Sequence, residues 1–419
     1  MSSASAPARR IGFTEFLVLT AAMMACQAFA VDGMLPALPT IAHALGLSDA
    51  NRAQLIVTAY VAGAGCGQLV WGLLSDRYGR RPILSLGLAA YVIAALLCSS
   101  TRSFDALLGW RFLHGTAAAS LVTTRSVIRD LYAGRQMARV MSLTFIVFLM
   151  VPVVAPSLGQ LLLLLGSWRL LFVMFGAFAA VVWVWMLLRL PETLHPEYRL
   201  RLDPRRLAHA LRLVLFDRTA LGYTFAIACV FGSLLAYVGM VQQIFADVFH
   251  RARLMPTVFG ICAASMGVAS YLNSRFVERL GMRAISHGGL LLLLAVSGLH
   301  ALVAALGLER LSTFIVLQSV TLACFGLTAT NFGAMAMEPM GAVAGLAASL
   351  QGFVTMLGGA IIGGLIGREF DGTTLPLTLG HLAGAIGALL FVLWAEQGRL
   401  FRPHHAAAGG AYGSAPFEV

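Results

Sequence analysis

The chain has no lysine, so all 29 of its basic residues are arginine. It is poor in charge of either sign, with 11% Asp, Glu, Lys and Arg where a soluble domain has about 25%. Six cysteines (26, 66, 98, 229, 262 and 324) all fall within or at the ends of apolar runs. They show neither metal-ligand spacing nor an extracellular pairing pattern, which leaves them as small packing residues. A phosphate-binding glycine loop, a zinc motif and a nucleophile elbow are all missing. ATP-driven transport and hydrolytic chemistry therefore have no support, and no enzyme activity, metal or cofactor is expected.

What is present is hydrocarbon. Hydrophobic residues make up 59% of the chain. Apolar runs of about 20 residues, each long enough to cross ~30 Å of bilayer, recur along almost its whole length. Twelve are counted, at 14–37, 53–74, 82–100, 104–126, 140–163, 168–189, 219–243, 255–274, 285–306, 312–334, 342–367 and 375–396. The expected fold class is an all-α integral membrane protein that takes the lipid bilayer as its solvent. A net charge of +11 would suggest a nucleic-acid partner in a soluble protein, but here its distribution excludes one. With the N-terminus inside, 21 arginines fall on the cytoplasmic side, seven outside and Arg111 within a span. That bias is the positive-inside rule, and it places both termini in the cytoplasm. Arg9-Arg10, an apolar run and Ala28-Phe29-Ala30 imitate a cleaved signal peptide. Cleavage there would leave an odd number of spans, so the segment is read as the first span.

Between the second and third spans stands Gly72-Leu73-Leu74-Ser75-Asp76-Arg77-Tyr78-Gly79-Arg80-Arg81-Pro82. It recurs as Ser274-Arg275-Phe276-Val277-Glu278-Arg279-Leu280-Gly281-Met282-Arg283, with Asp76 on Glu278, Arg77 on Arg279, Gly79 on Gly281 and Arg81 on Arg283. The offset of 202 residues (Gly281 less Gly79) is close to half of 419. A charged turn repeated at that distance predicts two related halves of six spans each, and such halves form transport paths. The expected division is 1–189 for the first bundle, 190–218 for a cytoplasmic connector, 219–397 for the second bundle and 398–419 for a disordered tail. The connector's Arg199, Arg201, Arg205, Arg206 and Arg212 suit either an amphipathic helix on the inner leaflet or a solvated linker.

Charge inside a span marks a functional residue. Asp32 in the first span and Arg111 in the fourth lie at similar depth, about 9 and about 10 Å below the outer surface at ~1.5 Å per residue. Burial and a nearby guanidinium act on a carboxylate in opposite directions. A conformational change that alters either would load or release a proton at Asp32. The other reading is a static ion pair that orders helix packing. His114 lies one turn from Arg111 on the same face, as an assistant or as a packing residue. In the fifth span Pro152, Pro156 and Gly159 share a face, as a hinge or as close packing, and Gly358-Gly359 is the matching place in the second half. In the turn, Gly72 permits contact with a facing helix, Gly79 allows the reversal, and Arg129 and Asp130 are expected partners. The turn reads as an inner gate latch. Gln27, Tyr237, Asn331 and Gln351 are candidates for the substrate cavity, with Glu338 as a gate residue.

These residues resemble the major facilitator superfamily, and within it the drug:proton antiporters of the bicyclomycin-resistance (Bcr/CflA) type. Gly72–Pro82 is similar to the superfamily's signature between helices 2 and 3. Arg111-Phe112-Leu113-His114-Gly115 is similar to a helix 4 motif associated with proton coupling. Val31-Asp32-Gly33-Met34-Leu35-Pro36-Ala37-Leu38-Pro39, Val127-Ile128-Arg129-Asp130, Ala155-Pro156-Ser157-Leu158-Gly159, Pro191-Glu192-Thr193-Leu194 and Asp371-Gly372-Thr373 match this branch. The chain departs from the antiporter pattern of helix 5 at Ala155 and Gln160. The resemblance implies twelve transmembrane helices in two pseudo-symmetric six-helix bundles. It implies a monomeric antiporter of the bacterial inner membrane that exports small amphipathic drugs in exchange for protons. The alternatives are a proton-coupled transporter of one metabolite, in either direction, and a non-transporting membrane sensor.

Overall fold

Hydrocarbon offers no water to the backbone, so a chain crosses it only as helices or as a closed barrel. The structure, a computed structural model, describes residues 11–132, 134–195, 197 and 211–401, and these contain helices and no strand. The first half comprises α1 (Phe13–Asp32), α2 (Leu38–Ala44), α3 (Leu55–Tyr78), α4 (Arg80–Ser100), α5 (Phe104–Ala118), α6 (Thr123–Leu131), α7 (Gly134–Leu165) and α8 (Arg169–Arg189). The second comprises α9 (Arg218–Gln243), α10 (Met255–Leu280), α11 (Met282–Ala305), α12 (Leu311–Met337), α13 (Ala344–Arg368) and α14 (Leu375–Ala395).

Among the described residues, ten of the twelve expected segments are helices long and apolar enough to span. The fourth is broken, with α5 passing through a 3-10 turn at Ala119–Val122 into α6. The fifth, α7, runs without a break through Pro152 and Pro156. The first span is also broken where a single run, 14–37, is expected. α1 stops at Asp32, a 3-10 turn covers Leu35–Ala37, and α2 continues beyond. Pro36 and Pro39 remove backbone donors at this point and force the break. In the connector, Arg199, Arg201, Arg205 and Arg206 lie outside the described residues, as do 402–419. Arg212 belongs to the helical stretch 211–216, its guanidinium 5.8 Å from the Phe216 ring.

The two halves are built alike. In the first, α1 packs on α7 and α8, α3 on α5, and α4 on α5 and α8. In the second, α9 packs on α13 and α14, α10 on α12, and α11 on α12 and α14. Shifting each span by six positions converts one set into the other. The two most extensive helix pairings between the halves, α3 with α13 and α7 with α10, exchange under the same shift, which is the mark of a pseudo-two-fold axis.

Small residues set the closest approaches, as expected where helix association rests on packing and not on water exclusion. A Cβ on Gly115 of α5 would strike the Tyr60 carbonyl of α3, and one on Gly67 would lie 2.6 Å from the Thr116 carbonyl. Gly115→Ala should therefore destabilise the bundle by about 1–3 kcal/mol, read as a lower Tm of the detergent-solubilised protein. Gly109→Ala, on the exposed face of α5 with nothing near its Cβ position, should leave Tm unchanged.

Candidate functional site

The polar centre of the first half is built around Arg111, which is fully buried. A guanidinium carries five N–H donors in a fixed fork, and the structure supplies acceptors from two other helices. Nε donates to the Ile56 carbonyl (3.2 Å) of α3, and Nη2 to the Ala30 carbonyl (3.1 Å) of α1. Nη1 lies 3.1 Å from His114 Nδ1. Because arginine can only donate, His114 accepts there, which leaves its ring proton on Nε2. The Tyr60 ring covers the cation at 4.3 Å, and Tyr60 and Tyr91 pack edge-on against His114. Tyr91 donates to the Cys26 carbonyl (2.9 Å) and Tyr60 to that of Gln27 (3.3 Å). Arg111 thereby holds α1, α3 and α5 together through their backbones.

Asp32 is 7% exposed and ends α1, two residues beyond the carbonyl that Arg111 holds. Acid and base share a depth, as the spacing from the span ends predicts, but they form no ion pair. Asp32 has no hydrogen bond or ion pair with any described residue. It also stands at a helix C-terminus, where the helix dipole disfavours negative charge. Beside it the backbones of α1 and α7 touch, since a Cβ on Gly159 would strike the Gly33 carbonyl. Gly159 thus works as a close-packing residue here. Gly359 and Gly363 of α13 do the same against Phe231 and Leu235 of α9.

The repeated turns each close on a glycine that only glycine chemistry permits. Gly79 has φ +105° and Gly281 φ +84°, with extended ψ, a region that residues with a Cβ avoid. In the first turn Arg80 points inward. It pairs with Asp76, donates to Ser75 (2.6 Å) and reaches Asp130 of α6 (3.0 Å). Arg81 donates to the Leu187 carbonyl (2.6 Å), Arg77 lies against the Tyr78 ring, and Arg129 is exposed. Gly72 meets α13, with Ser349 Oγ 2.8 Å from where its Cβ would be. The residue that sequence reasoning passed over is Glu192. Its Oε1 accepts from the backbone of Arg80, Thr193 and Leu194 (2.9 Å each), and its Oε2 from that of Arg81 (3.3 Å). A carboxylate from the end of α8 therefore caps the N-terminus of α4, where the dipole favours it.

The second turn solves the same problem with other residues. Arg283 pairs with Glu338 (3.2 Å), after α12, and with Glu396 (2.8 Å), after α14. Tyr223 donates to Glu396 (2.5 Å) and lies 3.0 Å from His287 Nε2, while the Phe401 backbone donates to His287 Nδ1 (3.1 Å). Glu278 and Arg279 are exposed. Every ion pair between described residues stays within one half.

Across the halves, the side opposite the repeated turns is closed by amides. Gln54 donates to Gln243 (2.5 Å), Gln243 to Asn51 (2.8 Å), and Asn51 to the carbonyls of Phe370 (2.8 Å) and Arg368 (3.2 Å). Of the four residues expected in a cavity, Asn331 is locked to Asn273 (2.8 Å) and Tyr237 is buried and stacked on Phe259. Gln27 and Gln351 are half-buried, and Gln351 reaches the Gly333 carbonyl (3.4 Å). The structure does not gather the four around one space. Glu192→Ala should lower stability by about 1–3 kcal/mol through its orphaned donors, measured as Tm. Glu192→Gln, which keeps an oxygen in the Oε1 position, should recover most of that loss.

The sequence model of the Major Facilitator Superfamily matches residues 20–363. An uncharacterized MFS-type transporter of Bacillus subtilis, YdgK, is 30% identical over 86% of this chain and 90% of its own. A bicyclomycin resistance protein homolog of Haemophilus influenzae is 29% identical over 83% and 88%. Among solved structures, a peptide transporter POT in complex with sulfate superposes with a TM-score of 0.73 at 15% identity, covering 94% of this chain and 97% of that one. The repeated inner turns, the pseudo-symmetric bundles and these matches together establish that the chain belongs to the Major Facilitator Superfamily and is a multi-pass membrane transporter, not an enzyme.

Proposed function

We propose that the protein is a proton-driven antiporter that exports small amphipathic drugs across the bacterial inner membrane by alternating access. The observation that carries this reading is Asp32, a buried carboxylate at a helix end that no cation neutralises, beside an arginine fully engaged elsewhere. In a static ion pair Arg111 would hold the acid. Here it holds the backbone carbonyl two residues away, so Asp32 can gain and lose a proton without dismantling the packing of α1, α3 and α5. Each proton that enters the cell draws on the membrane potential, ~2.3 kcal/mol per charge per 100 mV. The relative named for bicyclomycin resistance supports an exported drug as cargo.

In this reading 1–189 and 219–397 are the two bodies that rock, 190–218 connects them, and both termini are cytoplasmic. The protein works as a monomer. Asp76, Arg80, Asp130 and Glu192 in one half, with Arg283 and Glu338 in the other, form the inner latch. Pro152, Pro156 and Gly159 lie where α7 would pivot against α1. Gln27 and Gln351 are the polar residues placed to reach cargo.

Inside-out vesicles test the proposal. Labelled bicyclomycin or chloramphenicol should accumulate only when the vesicle lumen is acid, and Asp32→Asn should abolish that accumulation while Asp32→Glu retains part of it. Undiminished gradient-driven accumulation by Asp32→Asn would overturn the assignment.

A further inference from the structure

A second set of buried polar groups lies in the C-terminal half, apart from the site around Asp32. On α11, Ser297 and His300 lie one turn apart on one face, both fully buried. The loop after α11 supplies Glu309, whose Oε1 is 2.5 Å from His300 Nε2 and whose Oε2 accepts from Thr374 at the start of α14. Thr374 and His381 are seven residues apart, two turns of one helix face. On α12, Phe314 packs edge-on against His300 (5.7 Å between centroids) and Phe325 against His381 (5.9 Å). Gln318 lies between these two phenylalanines, at spacings of four and seven residues, so it shares their face of α12.

Six buried atoms of this set have no hydrogen-bond partner among the described residues: Ser297 Oγ, His300 Nδ1, both amide atoms of Gln318 and both ring nitrogens of His381. The Ser233 carbonyl approaches His381 without reaching hydrogen-bond geometry. Polar atoms buried to this degree are nearly always bonded, to protein or to internal water that takes two to four polar partners. Gln318 lies seven residues into α12 and His381 six into α14, about 10 and about 9 Å from their outer ends. The groups therefore lead inward from Glu309.

We infer that this constellation is a second proton-binding site, a hydrated polar pocket reached from the outer side past Glu309. The His300–Glu309 pair is the acceptor, with Gln318 and His381 beyond it. Protonation moves one proton from outer water to the pair, which passes from a net charge of minus one to zero. No bond between heavy atoms changes, and the donor water is restored by the bulk. The loop before α14 carries Glu369 and Asp371, the latter accepting from Thr373, and α11 carries His287 two to three turns inward of Ser297. α12 and α14 carry no Asp, Glu, Lys or Arg, and those of α9 (Arg218), α10 (Arg275, Glu278, Arg279) and α11 (Arg283) sit toward the inner ends. α9 presents Cys229 and Ser233 to α14, α10 presents Cys262 to Ser319 of α12, and Arg310 beside Glu309 is exposed.

The inference deepens the proton-driven reading and rests on it for its purpose, so the test separates the two. Proton uptake by the purified full chain would be titrated from about pH 5 to about pH 8 for wild type, Asp32→Asn, His300→Gln, Glu309→Gln and the double variant Asp32→Asn/Glu309→Gln. We expect His300→Gln and Glu309→Gln each to bind about one proton per chain fewer than wild type, and the double variant to add that loss to the one from Asp32→Asn. If the two variants match wild-type uptake, the pair is a static clamp and the inference fails. Should both variants misfold, nitrogen NMR of labelled histidine in wild type decides. His300 ring signals that move across this range support the site, and invariant signals overturn it. Loss at Asp32 with none here sinks this inference alone, and the reverse sinks only the Asp32 assignment.

Discussion

A guanidinium inside a bilayer must find acceptors for its donors within the protein, and in this fold Arg111 finds them on other helices. Its bonds to the Ile56 and Ala30 carbonyls fix three helices in one register. The glycines of the same helices follow from that constraint. α5 can present Arg111 to α3 only if it lies close, and at Gly115 it lies against the Tyr60 carbonyl itself. Tyr60 then has one place to go, over the cation, with its hydroxyl on α1. Each contact uses backbone or aromatic surface, and none uses Asp32. The acid is free because the base is occupied.

The inner turns show a related economy of charge. A helix that begins at the membrane surface exposes unbonded N–H groups and a partial positive charge. In the first half Glu192 answers the start of α4 directly, and Arg80 gathers Asp76 and Asp130 beside it. In the second half, Arg283 draws in acids from the ends of α12 and α14. Glu192 and Glu396 are separated by 204 residues, nearly the offset of the two turns. The equivalence therefore lies in architecture, with an acid just beyond the last span of each half meeting that half's own turn, and not in matching residue types.

How much of this was legible from sequence depends on the range of the interaction. Ten of the twelve span positions and the repeated turn arise from local hydropathy and residue spacing, and the structure agrees with them. The break after Asp32 was written in Pro36 and Pro39 but was outweighed by the apolar run around it. The partner of Arg111 was not legible. Ile56 and Ala30 act through carbonyls, which every residue has, so no side chain announces them. Tyr60 looked like one more aromatic in a span. Glu192 stands in the sequence only as part of the Pro191–Leu194 family match, and its separation from the turn, compared with that of Glu396, is the signal of its role.

The outer closure differs in kind from the inner one, and the difference bears on how a proton could move the molecule. Asn51, Gln54 and Gln243 are neutral amides, so their bonds form and break without titration and have no direct sensitivity to pH. In the proposed reading, a proton bound at Asp32 acts on them through packing. The contacts for this are contiguous. Asp32 ends α1 immediately before the Leu35–Ala37 turn; that turn touches α2 and α9; and α2 packs on the Ala50–Gln54 turn that carries Asn51 and Gln54. α9 ends at Gln243, on the other side of the same clasp. A change of charge at Asp32 thus acts at the start of a short chain of rigid elements that reaches both halves of the outer closure, a physical path of the kind coupling requires. The break in the first span that separates α1 from α2 is what allows those elements to move relative to α1.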